Sequence, residues 1–171
     1  YGGPNIGKPL HVGHLRSLNI GRSLYKINKL VGNKVTSDIH LGDWGMPVAQ
    51  IISYMIIHKI DFEKITIDEL EKIYPLSSSL YNDDDEFKES ALKINKKLNE
   101  DDKEIIDNWS RLKNVSIKAI PQTLEILGHK FDLILGESDV NYLIAEMIES
   151  LLKMKKITND SGAYVASLNT D

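Results

Sequence analysis

The sequence has 171 residues, 42% hydrophobic and 27% charged, with a formal net charge of −4 and no cysteine. That is enough chain for a domain with a sizeable core, in proportions ordinary for a soluble globular protein. No apolar run approaches the ~20 residues that span a bilayer, no secretory leader pattern is visible, and the lack of thiols excludes a disulfide framework or a thiolate metal site; a cytoplasmic location is expected.

Pro4, Gly7 and Pro9 keep the first residues out of a helix. Beyond them Leu15, Leu18, Leu24, Ile27 and Val31 recur at helical spacing, with one gap near Gly21. The pattern predicts a helix over residues 11–31, stopped by Gly32 and Asn33. His11 and His14 fall in its first turn and share a face. A helix start offers unpaired N–H groups and a positive dipole end, which suit an anion. Gly13 lets a flat ligand approach the backbone, and Lys8 adds a mobile positive charge. Together they form a cradle for phosphate charge that develops during a displacement, with no enzyme nucleophile needed. Plain packing is the simpler reading of a histidine pair. A zinc site is the other alternative, disfavoured because no acidic residue precedes Asp38. Lys8, Arg16, Arg22, Lys26, Lys29 and Lys34 all come before that first acid, so the head of an acidic chain is basic, as an anionic ligand would favour.

Residues 34–41 read as a β-branched strand that ends at Gly42. Loop, helix and strand in this order fit an open parallel sheet, whose ligands sit beyond the carboxyl ends of the strands. The loops at 4–14 and 42–45 should therefore open on one edge, side by side. Asp43 and Pro47 mark a helix start, with Asp43 as its cap; Asp43 and Trp44 could equally line the site. Val48, Ile51, Ile52, Met55 and Ile56 give that helix an apolar stripe.

Residues 60–130 read as a mainly helical insertion. A helix over 66–74 opens on a Thr66/Glu69 capping box, and Pro75 and the serines after it break it. A second, over 82–99, turns Phe87, Ala91, Ile94 and Leu98 to one side; a third, over 101–128, carries Trp109 as a core residue and is kinked or split at Pro121. Strand returns at 131–135, a helix follows over 140–154, and 157–166 reads as a hairpin. The expected organisation is a first part of the core over 1–59, the insertion over 60–130, and a return to the α/β core with a terminal hairpin over 131–171.

His11-Val12-Gly13-His14 resembles the HxGH signature of class I aminoacyl-tRNA synthetases. The longer run Pro4-Asn5 through Lys8-Pro9 to His14-Leu15-Arg16-Ser17, followed by Leu41-Gly42-Asp43-Trp44-Gly45, is similar to arginyl-tRNA synthetase in particular, and a looser likeness extends to Phe131-Asp132 and Leu135-Gly136-Glu137-Ser138. The resemblance implies an α/β fold with a Rossmann-like parallel sheet, an incomplete catalytic core, and a chain that is a piece of a much longer protein, inactive or weakly active alone. It implies ATP as substrate with Mg as its counter-ion, L-arginine and tRNA as partners, no structural metal, no membrane, and a monomeric parent. In the implied reaction the arginine carboxylate attacks the α-phosphate of ATP, and the arginyl group then passes to the tRNA 3′ end. His11 and His14 would hydrogen-bond the phosphates, Gly13 would let adenine pack on backbone, and Asn5 would hold the amino-acid end of arginine, with Asp43 a further substrate contact. Lys8 matches a lysine that stands in for the one lost from the second class I signature (KMSKS) in many members. Gly3 departs from the family's usual serine. A small HxGH nucleotidyltransferase, or a non-catalytic binding module that kept the fold, are the competing expectations.

Overall fold

A computed structural model describes residues 1–166. The chain divides into a larger unit, Tyr1–Glu137, and a smaller one, Ser138–Asp171. The last residues of the expected 131–171 stretch lie outside the described part.

The larger unit is built on a parallel sheet. Strand β1 (Asp38–Leu41) pairs with β2 (Leu133–Gly136), in register from Asp38 opposite Leu133 to Leu41 opposite Gly136. On the other side of β1 runs the start of the chain. The N–H of His40 donates to the Gly2 carbonyl at 3.3 Å, that of Gly42 to Pro4 at 3.0 Å, and that of Ile6 to Gly42 at 3.0 Å, with a parallel bridge between Asn5 and Gly42. The loops after residue 6 and after Leu41 therefore leave the sheet at the same edge, as the βα reading expects. The β1 strand is shorter than the 34–41 stretch that looked β-like: the Ser37 carbonyl accepts from the Asp132 and Leu133 N–H groups but its own N–H turns to the Asp132 carboxylate, and the regular ladder starts at Asp38.

Helix α1 (Gly13–Leu30) follows the first loop. Between β1 and β2 the chain makes four helices: α2 (Met46–Ile57), α3 (Ile67–Asp83), α4 (Asp85–Asn99) and α5 (Lys103–Ile126). Their apolar stripes meet in one cluster that also reaches the sheet: Ile39 and Leu41 from β1, Ile51, Ile52 and Met55 from α2, Leu70 and Ile73 from α3, Ile94 and Leu98 from α4, and Ile105, Leu112 and Leu124 from α5. The capping box at Thr66 is present, with its hydroxyl accepting from the Glu69 N–H and the Glu69 carboxylate accepting from the Thr66 N–H. Asp84 and Asp102 cap α4 and α5, so those helices begin a few residues later than their charge patterns suggest.

Two prolines do not break their helices. Helix α3 runs through Pro75, and the expected stop there is wrong; the ring lies on the exposed side, where water can take the freed carbonyl of exposed Glu71, while buried Leu70, Ile73 and Ser77 hold the opposite face to the core. Pro121 likewise sits within an unbroken α5, between buried Ile120 and Leu124. The smaller unit holds a 3₁₀ stretch leading into α6 (Ile144–Lys153), then a hairpin of β3 (Thr158–Asp160) and β4 (Ala163–Val165), where one was expected. Among the described residues no helix is long and apolar enough to cross a membrane.

Candidate active site

The first loop is fixed from below. Pro4 and Ile6 are buried, and Gly7 turns the chain with φ +83°. A side chain at Gly7 would run into Ile51 of α2. The Gly7 N–H donates to the Ser116 hydroxyl of α5 at 3.0 Å, and that hydroxyl donates to the Leu112 carbonyl at 3.0 Å, so a buried polar contact anchors the turn to the helical layer. Asn5 and Lys8 flank it. The Asn5 amide nitrogen donates to the Tyr74 hydroxyl at 3.2 Å, and the Lys8 ammonium lies 4.7 Å from the centre of the Tyr74 ring.

The two histidines stand together at the start of α1, ring centres 4.1 Å apart. The His11 N–H donates to His14 Nδ1 at 3.2 Å, and the Gly13 N–H donates to His11 Nδ1 at 3.1 Å. An Nδ1 that accepts leaves the proton on Nε2. His14 Nδ1 is also 3.3 Å from the His11 carbonyl, so it accepts the His11 N–H or donates to that carbonyl according to its tautomer. Partial burial pushes the His14 pKa below the ordinary 6.5; the neighbouring His11, cationic when protonated, pushes the same way, a hydrogen bond to the His11 carbonyl opposes them, and Lys8 lowers it further. The neutral imidazole is therefore favoured for His14 at pH 7. Among the described residues no partner takes the Nε2 of either ring.

The backbone at this helix start is less open than the sequence implies. Gly13 bonds to the His11 ring, and the N–H groups of His14 and Leu15 bond to the carbonyls of His11 and Val12 at 2.9 and 3.1 Å. The donors on offer are imidazole N–H groups. The space beside Gly13 is taken as well, since a Cβ there would lie 2.9 Å from the His11 ring. Glycine at this position lets the histidine fold back over the backbone.

Asp43 does not cap α2. Gly45 does, with φ +83° and no side-chain bond. The Asp43 carboxylate is fully buried, 2.6 Å from the Lys113 ammonium of α5, and packs over β2 where only glycine fits at 136. Trp109 of α5 donates its indole N–H to the Asp43 carbonyl at 2.6 Å and meets Trp44 edge-on at 5.2 Å. Asp43 therefore pins the 42–45 loop to α5 and offers no exposed oxygen. The two loops still touch: the Asn5 side-chain oxygen rests against Gly42, leaving no room there for a Cβ.

Sequence reasoning missed Tyr74, Ser116 and Lys113 and gave Trp109 only a core role. Tyr74 was hidden in front of a presumed breaker. The other three fall at 109, 113 and 116, one face of α5, and a serine on the stripe of Ile105, Leu112, Ile120 and Leu124 was the available signal.

A family model described as "tRNA synthetases class I (R), catalytic domain" matches residues 1–170. The arginine–tRNA ligase of Agathobacter rectalis is 37% identical over an alignment that covers 100% of this chain and 31% of that protein. That of Francisella tularensis subsp. novicida is 34% identical, covering 100% and 32%. The chain thus spans less than a third of the length of these relatives. The crystal structure of arginyl-tRNA synthetase from Plasmodium falciparum superposes with a TM-score of 0.77 at 29% identity, over 99% of this chain and 29% of that one. The Thermus thermophilus arginyl-tRNA synthetase, at 18% identity, a TM-score of 0.64, and coverage of 96% of this chain and 29% of that one, bears on the fold alone. A paired-histidine helix start beside a parallel sheet, and a family match over almost every residue, agree: the chain belongs to the catalytic-domain family of the class I tRNA synthetases for arginine.

Proposed function

We propose that this chain is the ATP-facing part of an arginine–tRNA ligase. Its full protein joins arginine to ATP as an adenylate, with loss of pyrophosphate, and then passes the arginyl group to the 3′ end of its tRNA. The partners are ATP, L-arginine and tRNA, and Mg²⁺ enters as the counter-ion of the triphosphate. The reading extends to a cytoplasmic protein that works as a monomer.

The observation that carries the proposal is the state of the two imidazoles. The His11 ring accepts the Gly13 N–H at Nδ1, which leaves Nε2 as its donor atom, and the His14 ring stands 4.1 Å away with a pKa lowered towards the neutral form, facing an oxygen that gains negative charge. A neutral donor suits a pentacovalent α-phosphate, because it binds the charge as it develops without tying up the ground-state triphosphate. Lys8 supplies full charge on the same approach, and its perch on an aromatic ring leaves that charge unneutralised. Gly13 contributes by admitting the His11 ring. Asn5, at the bridge to Gly42, holds the amino-acid end of arginine near the phosphate in this reading. Asp43 acts through the backbone, by fixing the adjoining loop to α5.

The test is pyrophosphate exchange by the full-length protein with ATP, arginine and tRNA. His14→Ala should lower the rate by about 100- to 1,000-fold, the effect of one preorganised donor. An unchanged rate removes His14 from the reaction.

A further inference from the structure

Tyr74 is 69 positions from Asn5 in the chain, yet it holds both side chains that flank the Gly7 turn. Its phenol oxygen accepts from the Asn5 amide nitrogen at 3.2 Å, and its ring lies 4.7 Å from the Lys8 ammonium. The Asn5 amide is thereby held at one end by the phenol and packed at the other against Gly42. The Lys8 contact has a different character. A ring face attracts an ammonium without a counter-charge, so it holds Lys8 in place while leaving its charge for an incoming phosphate. A carboxylate in that place would neutralise the lysine. Tyr74 itself is firmly set: it is half-buried, packs on the core cluster, and lies in α3 between buried Ile73 and Ser77, whose hydroxyl donates to the Tyr74 carbonyl at 2.9 Å.

We propose that Tyr74 is a positioning residue for the reaction described above, setting the amino-acid hook through its hydroxyl and the phosphate cation through its ring. The inference rests on the proposed function. It makes the helical layer part of the site: α3 carries a side chain that couples the arginine end to the phosphate end.

The two halves of Tyr74 separate by substitution. Tyr74→Phe removes the hydroxyl and keeps the ring; Tyr74→Leu removes both. In steady-state pyrophosphate exchange by the full-length protein with tRNA present, Tyr74→Phe should raise the arginine KM about two- to tenfold, the worth of one neutral hydrogen bond, with the ATP KM and the saturated rate unchanged. Tyr74→Leu should raise the arginine KM to the same degree and also lower the saturated rate about two- to fivefold, the worth of the cation–ring contact. Phe thus rescues the rate relative to Leu but not the arginine KM. A purely structural tyrosine would instead lower active enzyme in both variants and leave both KM values alone. If the leucine variant does not fold, the phenylalanine variant decides: an active wild type with an unchanged arginine KM in Tyr74→Phe overturns this inference alone. A wild type with no arginine-dependent exchange overturns the functional reading and the inference with it.

Discussion

Helices α1 and α4 look alike on paper and are held in opposite ways. Both are amphipathic, and α4 fulfils its pattern: Phe87, Ala91, Ile94 and Leu98 are all buried against the neighbouring helices. In α1 only Leu18 is buried, while Leu24 and Ile27 are each 56% exposed and Leu30 is 87% exposed. The helix that carries His14 is instead fixed at points. Tyr1 sits over Gly21, where any Cβ would strike its ring, which accounts for the gap in the apolar repeat. Arg22 donates to the carbonyls of Leu127 and Gly128 at 3.1 and 3.0 Å, and the Tyr25 hydroxyl to Asp132 at 3.3 Å. A layer held by volume sets where the loop can lie; a helix held by a few directed contacts carries the histidine into place.

The largest effect that tests this contrast is a cavity in α4. Leu98→Ala should destabilise the chain by about 2–5 kcal/mol, whereas Leu24→Ser in α1 should stay within about 0.5 kcal/mol, both read from urea unfolding at equal slope. Comparable losses in the two variants would show that the stripe on α1 is covered in solution, and the contrast would collapse.

A smaller effect separates two glycines that the sequence does not distinguish. Gly7 and Gly32 both have positive φ, +83° and +88°. A Cβ at Gly7 would lie 2.5 Å from Ile51, but at Gly32 it meets nothing within 4 Å. Gly32→Ala should cost only the backbone penalty, about 1 kcal/mol, and Gly7→Ala about 1–3 kcal/mol more from the clash. The loop variant should also lower pyrophosphate exchange, since the Gly7 N–H is tied to Ser116 and its neighbour is Lys8. Equal costs at the two sites would mean that the loop is free to move off α2.

How much of this could be read in advance follows the range of the interactions. The histidine pair, the Thr66 box, the stripe of α4 and the hairpin depend on neighbours a few residues apart, and spacing reveals them. The proximity of the two loops also followed, because parallel strands put their carboxyl ends together. What stayed hidden acts at long range. Asp43 looks like a cap until Lys113, seventy positions on, takes its carboxylate. Pro75 looks like a stop until the burial of Leu70 and Ile73 on the opposite face outweighs one lost hydrogen bond. Gly13 suggests space for a ligand until the His11 ring fills it. Local rules propose an end or an opening in each case, and tertiary packing takes it away.

The subtlest consequence of the point-held helix is electrostatic. His14 has a folded pKa below its ordinary 6.5, from partial burial first and the charge of His11 next. Below pH 6.5 the unfolded chain takes up the proton before the folded one does, so stability falls as pH drops from 6.5 towards the folded value and is flat above it. His129, lowered by burial and by Arg22, adds a slope of the same sign. A nuclear magnetic resonance titration of the His14 ring should therefore show a midpoint below 6.5. His11→Gln should move that midpoint up, because it removes the like charge but keeps the backbone N–H that binds His14 Nδ1. A midpoint at or above 6.5 in the unmodified protein would mean a ring that is fully solvated or paired with a carboxylate. His14 would then be an imidazolium through much of the working range, and the α-phosphate would face a fixed charge where the present geometry offers a neutral donor.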